Sequence, residues 1–189
     1  MGTDKKKKRE KTLAEQADKY VLYEAAVQSP DVDASFFRKV FRKRFSRDPR
    51  ILREDFCGTA AVCCQWARSG RDRLAIGVDL DPVPLAWARQ HNLAALPRKV
   101  RERVQLVQGD VREVEGPAAD VVAAQNFSFF IFKTRDEMRG YFEAARRHLA
   151  GEGLLILDMM GGSQSHIEDH VEKRKVGKGK VAGISHPAF

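Results

Sequence analysis

The chain has 189 residues, of which 43% are hydrophobic, 32% charged and 8% aromatic, and its formal net charge at pH 7 is +8. This length suits one domain better than two, and the apolar share can build a core, which excludes a wholly disordered chain. No apolar run approaches the roughly 20 residues of a membrane-spanning helix, and no apolar segment of a secretory signal follows the lysine-rich start. The three cysteines, at positions 57, 63 and 64, are too few and too close together for a disulfide framework. We therefore expect a soluble, reduced, cytoplasmic protein.

The excess positive charge lies mostly at the two ends of the chain. Residues 1–11 hold six basic against two acidic side chains, a net charge of +4, and residues 168–189 hold five against three, a net charge of +2. Only +2 remains for residues 12–167. We expect residues 1–12 to be a disordered basic tail, and this tail to be the only route to a nucleic-acid partner, since such tails add salt-dependent affinity for polyanions.

Short apolar runs alternate with longer amphipathic stretches. In chain order we predict helices at 13–28 and 33–45, a strand at 51–52, a helix at 59–68, a strand at 74–78, a helix at 82–96, strands at 104–107 and 120–124, a helix at 134–150 and a strand at 154–157. Asp81 and Pro82 are typical of a helix start, and Thr134–Glu137 has the spacing of a capping box. Gly151 and Gly153 are expected to end the last helix. This alternation predicts an α/β fold, a mostly parallel sheet with helices on both faces.

An acid or an amide follows every predicted strand. These residues are Glu54 and Asp55, Asp79 and Asp81, Asp110, Gln125 and Asn126, and Asp158. Ligands of such sheets bind beyond the carboxyl ends of the strands, near the point where the strand order reverses. We therefore expect a ligand site built from these strand ends.

The first two strand ends fit a nucleoside better than a dinucleotide. Asp79 follows Gly58 by 21 residues, close to the spacing at which an acid reaches ribose hydroxyls in dinucleotide folds. A pyrophosphate needs glycines where this loop has Phe56 and Ala60, and the two carboxylates before the loop would repel it. These features favour a ligand with a ribose and a positive charge but no phosphate.

Residues 13–162 resemble the class I S-adenosylmethionine-dependent methyltransferases, with Glu-Asp-Phe-Cys-Gly-Thr as a variant first motif. The resemblance implies a Rossmann-like three-layer sandwich with S-adenosylmethionine as cofactor, a core at 49–162, and a helical lid at 13–48. It also implies that Glu54 lies near the methionine ammonium. Asp79 is expected to accept hydrogen bonds from both ribose hydroxyls, and Asp110 to accept one from the adenine amino group. The full set of expected cofactor contacts is Glu54, Phe56, Cys57, Gly58, Thr59, Asp79, Leu80, Asp110, Val111 and Asn126.

The methyl acceptor is not identified by any motif. Gln125–Ser128 lacks the Asn/Asp-Pro-Pro-aromatic motif of nucleic-acid amino methyltransferases and the Pro-Cys pair of cytosine C5 methylation, so a small-molecule or protein acceptor is favoured. The aromatic run Phe127–Phe132 fits either an acceptor pocket or the core. No catalytic residue is assigned, because a base is needed only where the acceptor must lose a proton before attack. No metal is predicted, since neither the cysteines nor the pair His166 and His170 match a ligand pattern.

Two alternatives concern the C-terminus and the ligand. Only 27 residues follow Gly162, and we expect 163–189 to be irregular, so that the sheet lacks its C-terminal strands or the chain is a fragment. A non-catalytic or inactive truncated adenosyl-ligand binder and an NAD-type oxidoreductase both remain open as functions.

Overall fold

The structure is a computed structural model that describes residue 12, residues 16–162, and the backbone of 171–174 and 182–185. Five strands form one sheet: β1 (Ile51–Asp55), β2 (Leu74–Asp79), β3 (Val104–Gln108), β4 (Ala119–Ala124) and β5 (Leu149–Leu157). The helices are α1 (Lys19–Val27), α2 (Pro30–Phe45), α3 (Ala61–Arg68), α4 (Pro82–Ala88), α5 (Arg98–Arg101) and α6 (Arg135–His148). A π-helical turn (Arg89–Leu93) extends α4, and a 3-10 turn (Ser128–Ile131) follows β4.

The sheet has the order β3-β2-β1-β4-β5, and all four of its pairings are parallel. Helices α2, α3 and α4 pack on one face, where Phe41, Trp66 and Leu85 are fully buried. Helix α6 packs on the other face through Tyr141 and Ala145. This three-layer Rossmann-like sandwich confirms the predicted fold class. The strand order reverses between β1 and β4, so the switch point lies at their carboxyl ends.

The helix starts behave as their sequences predict. The Asp81 carboxylate accepts the N–H of Val83 at 2.8 Å and caps α4, with Pro82 in the first turn. Thr134 and Glu137 form the complete capping box of α6. Side-chain oxygens thus satisfy amide groups that a helix cannot pair by itself.

The prediction that Gly151 and Gly153 end a helix is wrong. Helix α6 already ends at His148, and β5 runs through both glycines. Pairing with β4 skips from Leu149 to Leu154, which leaves an irregular stretch between them. A Cβ on Gly153 would lie 2.8 Å from the Leu149 side chain and 3.1 Å from the Ala119 carbonyl oxygen. Gly153 therefore permits close packing in an irregular strand and does not cap a helix.

The C-terminal segment differs from the expectation of irregular structure at 163–189. Two strands there, β6 (Val171–Arg174) and β7 (Ala182–Ser185), form an antiparallel pair that is a separate sheet. Their Lys- and Gly-rich surroundings gave no strand-like apolar run. His166 and His170 lie outside the described residues.

Candidate functional site

The loop between β1 and α3 adopts the backbone of a glycine-rich loop although it contains one glycine. Phe56, Gly58 and Ala60 have φ angles of 60°, 52° and 55°. Residues other than glycine pay about 1–2 kcal/mol for this left-handed conformation. Packing offsets part of that strain, since Ala60 is fully buried and the Phe56 ring centroid lies 5.8 Å from that of Tyr141. Phe56 and Ala60 thus take left-handed conformations that glycine adopts more easily.

Gly58 and Asp79 meet at the carboxyl edge of the sheet. The Asp79 Oδ2 accepts the N–H of Gly58 at 2.7 Å, and its Oδ1 accepts the N–H of Asp81 at 2.9 Å. A carboxylate has about four lone-pair sites, so two further donors can bind it. A Cβ built on Gly58 meets nothing within 4 Å, which shows open space in front of the loop. Gly58 and Asp79, which the sequence assigned to the same ligand site, are therefore in contact beside open space.

Glu54 is a buried acid on the same side of the sheet. Its side chain is 3% exposed, and Oε2 accepts the N–H of Cys63 in the first turn of α3 at 3.0 Å. Burial raises the pKa of Glu54 to about 7, and the negative charges of Asp33 and Asp79 also raise it. The hydrogen bond from Cys63 lowers the pKa but does not outweigh burial. A cation that binds beside Glu54 would relieve this unfavourable ionisation.

Helix α1 places Tyr23 close to the same acids. Burial raises the pKa of the Tyr23 hydroxyl, and the charges of Glu54, Asp158 and Asp79 raise it further. Burial likewise raises the pKa of Asp33, with a contribution from Asp158. Four carboxylates, from α2, β1, β2 and the end of β5, thus share one electronegative region that favours a positively charged ligand.

Asp55 does not belong to this region, contrary to the expectation that two carboxylates adjoin the loop. Side chains alternate along β1, so Asp55 points to the α6 face. It is 1% exposed there, accepts the Arg53 Nε–H at 2.8 Å, and accepts the Tyr141 hydroxyl at 3.3 Å. Its charge is balanced by Arg53, and Glu54 alone provides the strand's charge toward the loop.

Asp110 follows β3 as predicted, but its carboxylate is occupied. Arg112 donates its backbone N–H to Oδ1 at 2.9 Å and its Nη2–H to Oδ2 at 2.6 Å. The hydrogen bond from Arg112 also lowers the pKa of Asp110. The Arg112 guanidinium lies 5.0 Å from the Phe132 ring centroid. A ligand amino group would have to share Asp110 with this arginine. Val111, the next residue, is 4% exposed.

The end of β4 is held by an acid from β5. Asp158 Oδ2 accepts the N–H of Asn126 at 2.8 Å, and Oδ1 accepts that of Phe127 at 2.9 Å. Both residues have positive φ angles, 55° and 57°. In the aromatic run that follows, Phe129 and Phe132 are buried. These two rings belong to the core, while Phe127 and Phe130 are half-buried.

The remaining expected contacts differ in exposure. Cys57 is buried, and Thr59 is buried with its Oγ1 unpaired. Leu80 is 68% exposed beside Asp79. All three cysteines are free and buried. Burial raises the pKa of the Cys57 thiol well above its usual value, which does not favour a nucleophilic thiolate.

Sequence reasoning did not assign several residues that shape the site. Asn92 donates to the Thr59 carbonyl oxygen at 2.9 Å and to Glu24 of α1 at 2.7 Å, and so joins that helix to the first loop. Tyr23 and Asp33 come from the N-terminal helices, where no local motif marks them. Asp158, by contrast, is one of the strand-end acids that the sequence predicted at the ligand site.

Comparisons with known proteins define the family of the chain. A family model described as a methyltransferase domain matches residues 56–153, just over half of the chain. The chain therefore belongs to this family of methyltransferase domains. No curated protein sequence matches the chain significantly. Within the described residues, no helix is both long enough and apolar enough to cross a membrane.

Solved structures show the same fold. CalS10, an amino pentose methyltransferase from Micromonospora echinaspora solved with S-adenosylmethionine bound, is 27% identical with a TM-score of 0.66 over 83% of this chain. The match covers 62% of CalS10, so the chain spans less than two thirds of that protein's length. The glycopeptide N-methyltransferase MtfA, also solved with S-adenosylmethionine, is 21% identical with a TM-score of 0.59 over 86% of this chain and 68% of MtfA. The sugar N-methyltransferase KedS8 from Streptoalloteichus sp ATCC 53650 is 19% identical with a TM-score of 0.65 over 98% of this chain and 82% of KedS8.

Proposed function

We propose that this protein is an S-adenosylmethionine-dependent methyltransferase that methylates an amino group of a sugar-bearing small molecule. The contact between Gly58 and Asp79 beside an electronegative opening carries the cofactor half of this proposal. Membership of the methyltransferase-domain family supports the reaction. The amino-sugar half is supported by the likeness to CalS10, whose acceptor is an amino pentose.

The residues at the opening fit the cofactor part by part. Asp79 has lone pairs left for two ribose hydroxyls, and Gly58 lets the backbone approach the ligand without a side chain between them. Glu54, whose ionisation is unfavourable without a nearby cation, would pair with the methionine ammonium. Asp110 would accept the adenine amino group. The proposed contacts are completed, through the loops that hold them, by Phe56, Cys57, Thr59, Leu80, Val111 and Asn126.

When bound, S-adenosylmethionine supplies an electrophilic methyl group on a sulfonium, with a neutral thioether as leaving group. The protein's task is then to hold the acceptor nitrogen in line with that methyl, which can supply several kcal/mol of the barrier. An amine attacks only in its neutral form, and the methylated nitrogen, positively charged once the N–C bond has formed, then loses one proton to solvent. Asn126 and Phe127, fixed by Asp158, lie at the strand end where we place the acceptor.

Methyl transfer from radiolabelled S-adenosylmethionine tests the proposal. Each amino sugar is assayed beside the matched sugar with a hydroxyl at the same carbon. We expect label in an amino sugar and none in its hydroxyl counterpart. Label in the hydroxyl sugar or in a protein fraction would overturn the acceptor class. Tight binding of S-adenosylhomocysteine without transfer to any fraction of a cell extract would favour a non-catalytic binder.

A further inference from the structure

Strand β1 carries an arginine that is completely enclosed. Arg53 is 1% exposed, and its guanidinium makes three hydrogen bonds. Nε donates to Asp55 at 2.8 Å, Nη1 to the Val114 carbonyl oxygen at 2.8 Å, and Nη2 to the Val111 carbonyl oxygen at 2.9 Å. Each nitrogen of the planar fork therefore has a partner.

The two carbonyl groups belong to the loop after β3. Residues 110–114 turn away from the sheet there, with the N–H groups of Glu113 and Val114 donating to the Asp110 carbonyl oxygen at 2.9 and 3.0 Å. From the α6 side of the sheet, Arg53 donates hydrogen bonds to this loop at Val111 and Val114. Asp110 is the residue of this loop that we place against the adenine amino group. It lies directly before the segment to which Arg53 donates hydrogen bonds.

The fork is itself fixed. Asp55 balances its charge and is held in turn by the Tyr141 hydroxyl. A buried arginine cannot leave its carboxylate without stranding a charge, so the position of Arg53 is strongly determined. A lysine has no planar fork and cannot hold two carbonyl groups and a carboxylate in the same geometry.

We propose that Arg53 is a positioning residue for adenine recognition: it holds the 110–114 loop so that Asp110 meets the amino group of the base. This inference rests on the proposed function and adds a residue that touches neither cofactor nor acceptor. This role of Arg53 predicts selectivity for the base. The Asp110 carboxylate can accept a hydrogen bond from the amino group of adenine, but it would face a carbonyl oxygen in hypoxanthine.

The test compares Arg53→Lys with Arg103→Lys. Arg103 is a matched control because its Nη1 donates to the carbonyl oxygens of Gly70 and Arg73, away from the candidate site. Dissociation constants are measured for S-adenosylhomocysteine and for its deaminated analogue S-inosylhomocysteine. The wild type should prefer the adenine ligand by at least about tenfold, the worth of one good hydrogen bond. Arg53→Lys should reduce this ratio to about threefold or less, and Arg103→Lys should keep it within about twofold of wild type.

A second variant and a second readout cover the case in which Arg53→Lys does not fold. Arg53→Met combined with Asp55→Leu removes both charges, an exchange that buried ion pairs often tolerate. It should show the same loss of selectivity, and the backbone amides of residues 110–114 should exchange hydrogen faster than in wild type. Unchanged selectivity in a folded variant would overturn this inference and leave the proposed function standing. Failure of the wild type to bind any adenosyl ligand would overturn both.

Discussion

The Asp79 carboxylate accepts the backbone N–H of Gly58 at 2.7 Å, which ties the end of β2 to the loop after β1. The same carboxylate accepts the N–H of Asp81 at the start of α4. Asp79 is therefore part of the framework of the site as well as a proposed ligand contact. A substitution here should change both the free energy of unfolding and the affinity for the cofactor.

Asp79→Ala should weaken S-adenosylmethionine at least about tenfold, because two charge-assisted hydrogen bonds to the ribose would be lost. It should also destabilise the fold by about 1–3 kcal/mol, since the N–H groups of Gly58 and Asp81 lose their acceptor. Asp79→Asn keeps one acceptor oxygen and should fall between wild type and Asp79→Ala on both measures. Calorimetric titration and urea unfolding give the two quantities separately.

A 2′-deoxyribose analogue of S-adenosylhomocysteine separates the ribose contact from the loop effect. It should bind wild type more weakly than the parent ligand, and Asp79→Ala should barely distinguish the two. If the variant discriminates them as wild type does, Asp79 is not the ribose contact.

Gly58 allows a prediction in which stability and binding respond differently. Gly58→Ala should destabilise the fold by about 1–2 kcal/mol, because φ is 52° and a Cβ would meet no neighbour, so the cost is purely conformational. Gly58→Asn should cost less in urea unfolding, since asparagine tolerates this region. Both should weaken S-adenosylhomocysteine, with Asn the worse, because each places a side chain in the opening. Normal binding by Gly58→Asn would show that the ligand does not approach this loop.

Glu54 predicts a pH dependence of stability. Its pKa is raised from the ordinary 4.5 to about 7, so the folded state binds the proton more tightly than the unfolded state does. Stability from this residue is then fully present below about pH 4.5 and is lost as pH rises toward 7, by about 3 kcal/mol in total. Glu54→Gln keeps the acceptor for Cys63 and should remove this slope. The free energy of unfolding of both proteins at pH 5 and pH 8 checks it.

Binding offers an independent reading of the same group. If the ligand's ammonium lies beside Glu54, binding lowers the pKa of the Glu54 carboxyl. The wild type should then release protons on binding S-adenosylhomocysteine near pH 6.5. Calorimetry in two buffers of different ionisation enthalpy measures that release. Equal proton release by wild type and Glu54→Gln would place the ammonium elsewhere.

Arg112 should compete with the ligand for Asp110. Arg112→Gln should strengthen S-adenosylhomocysteine by up to about fivefold, because a partly exposed ion pair is worth at most about 1 kcal/mol and the Asp110 Oδ2 atom loses its guanidinium partner. Arg98→Gln is the control, since it breaks a similar ion pair, with Glu102, on the exposed α5. Weaker binding by Arg112→Gln alone would mean that Arg112 supports the ligand directly.

Local sequence patterns were enough to predict the fold and to propose part of the candidate site. Alternating apolar runs located all five parallel strands, and the spacing between Gly58 and Asp79 assigned both to one ligand site, because both lie where neighbouring strands end. Partners distant in sequence left no such mark: nothing local shows that Arg53 reaches Val114, 61 residues away. Adjacent positions were also ambiguous, since Glu54 and Asp55 differ only in the face of β1 to which they point. Gly153 resembled a helix stop because nothing local shows that β5 already begins at Leu149 and pairs with β4.

We expect the opening beside Gly58 and Asp79 to bind an adenosyl ligand with a positive charge and no phosphate. Calorimetric titration of the wild-type chain with S-adenosylmethionine, S-adenosylhomocysteine and NAD tests it most directly. We expect saturable one-to-one binding of the first two ligands, at least about tenfold weaker in Asp79→Ala, and no binding of NAD. Binding of NAD alone, or adenosyl binding that is unchanged in Asp79→Ala, would contradict it.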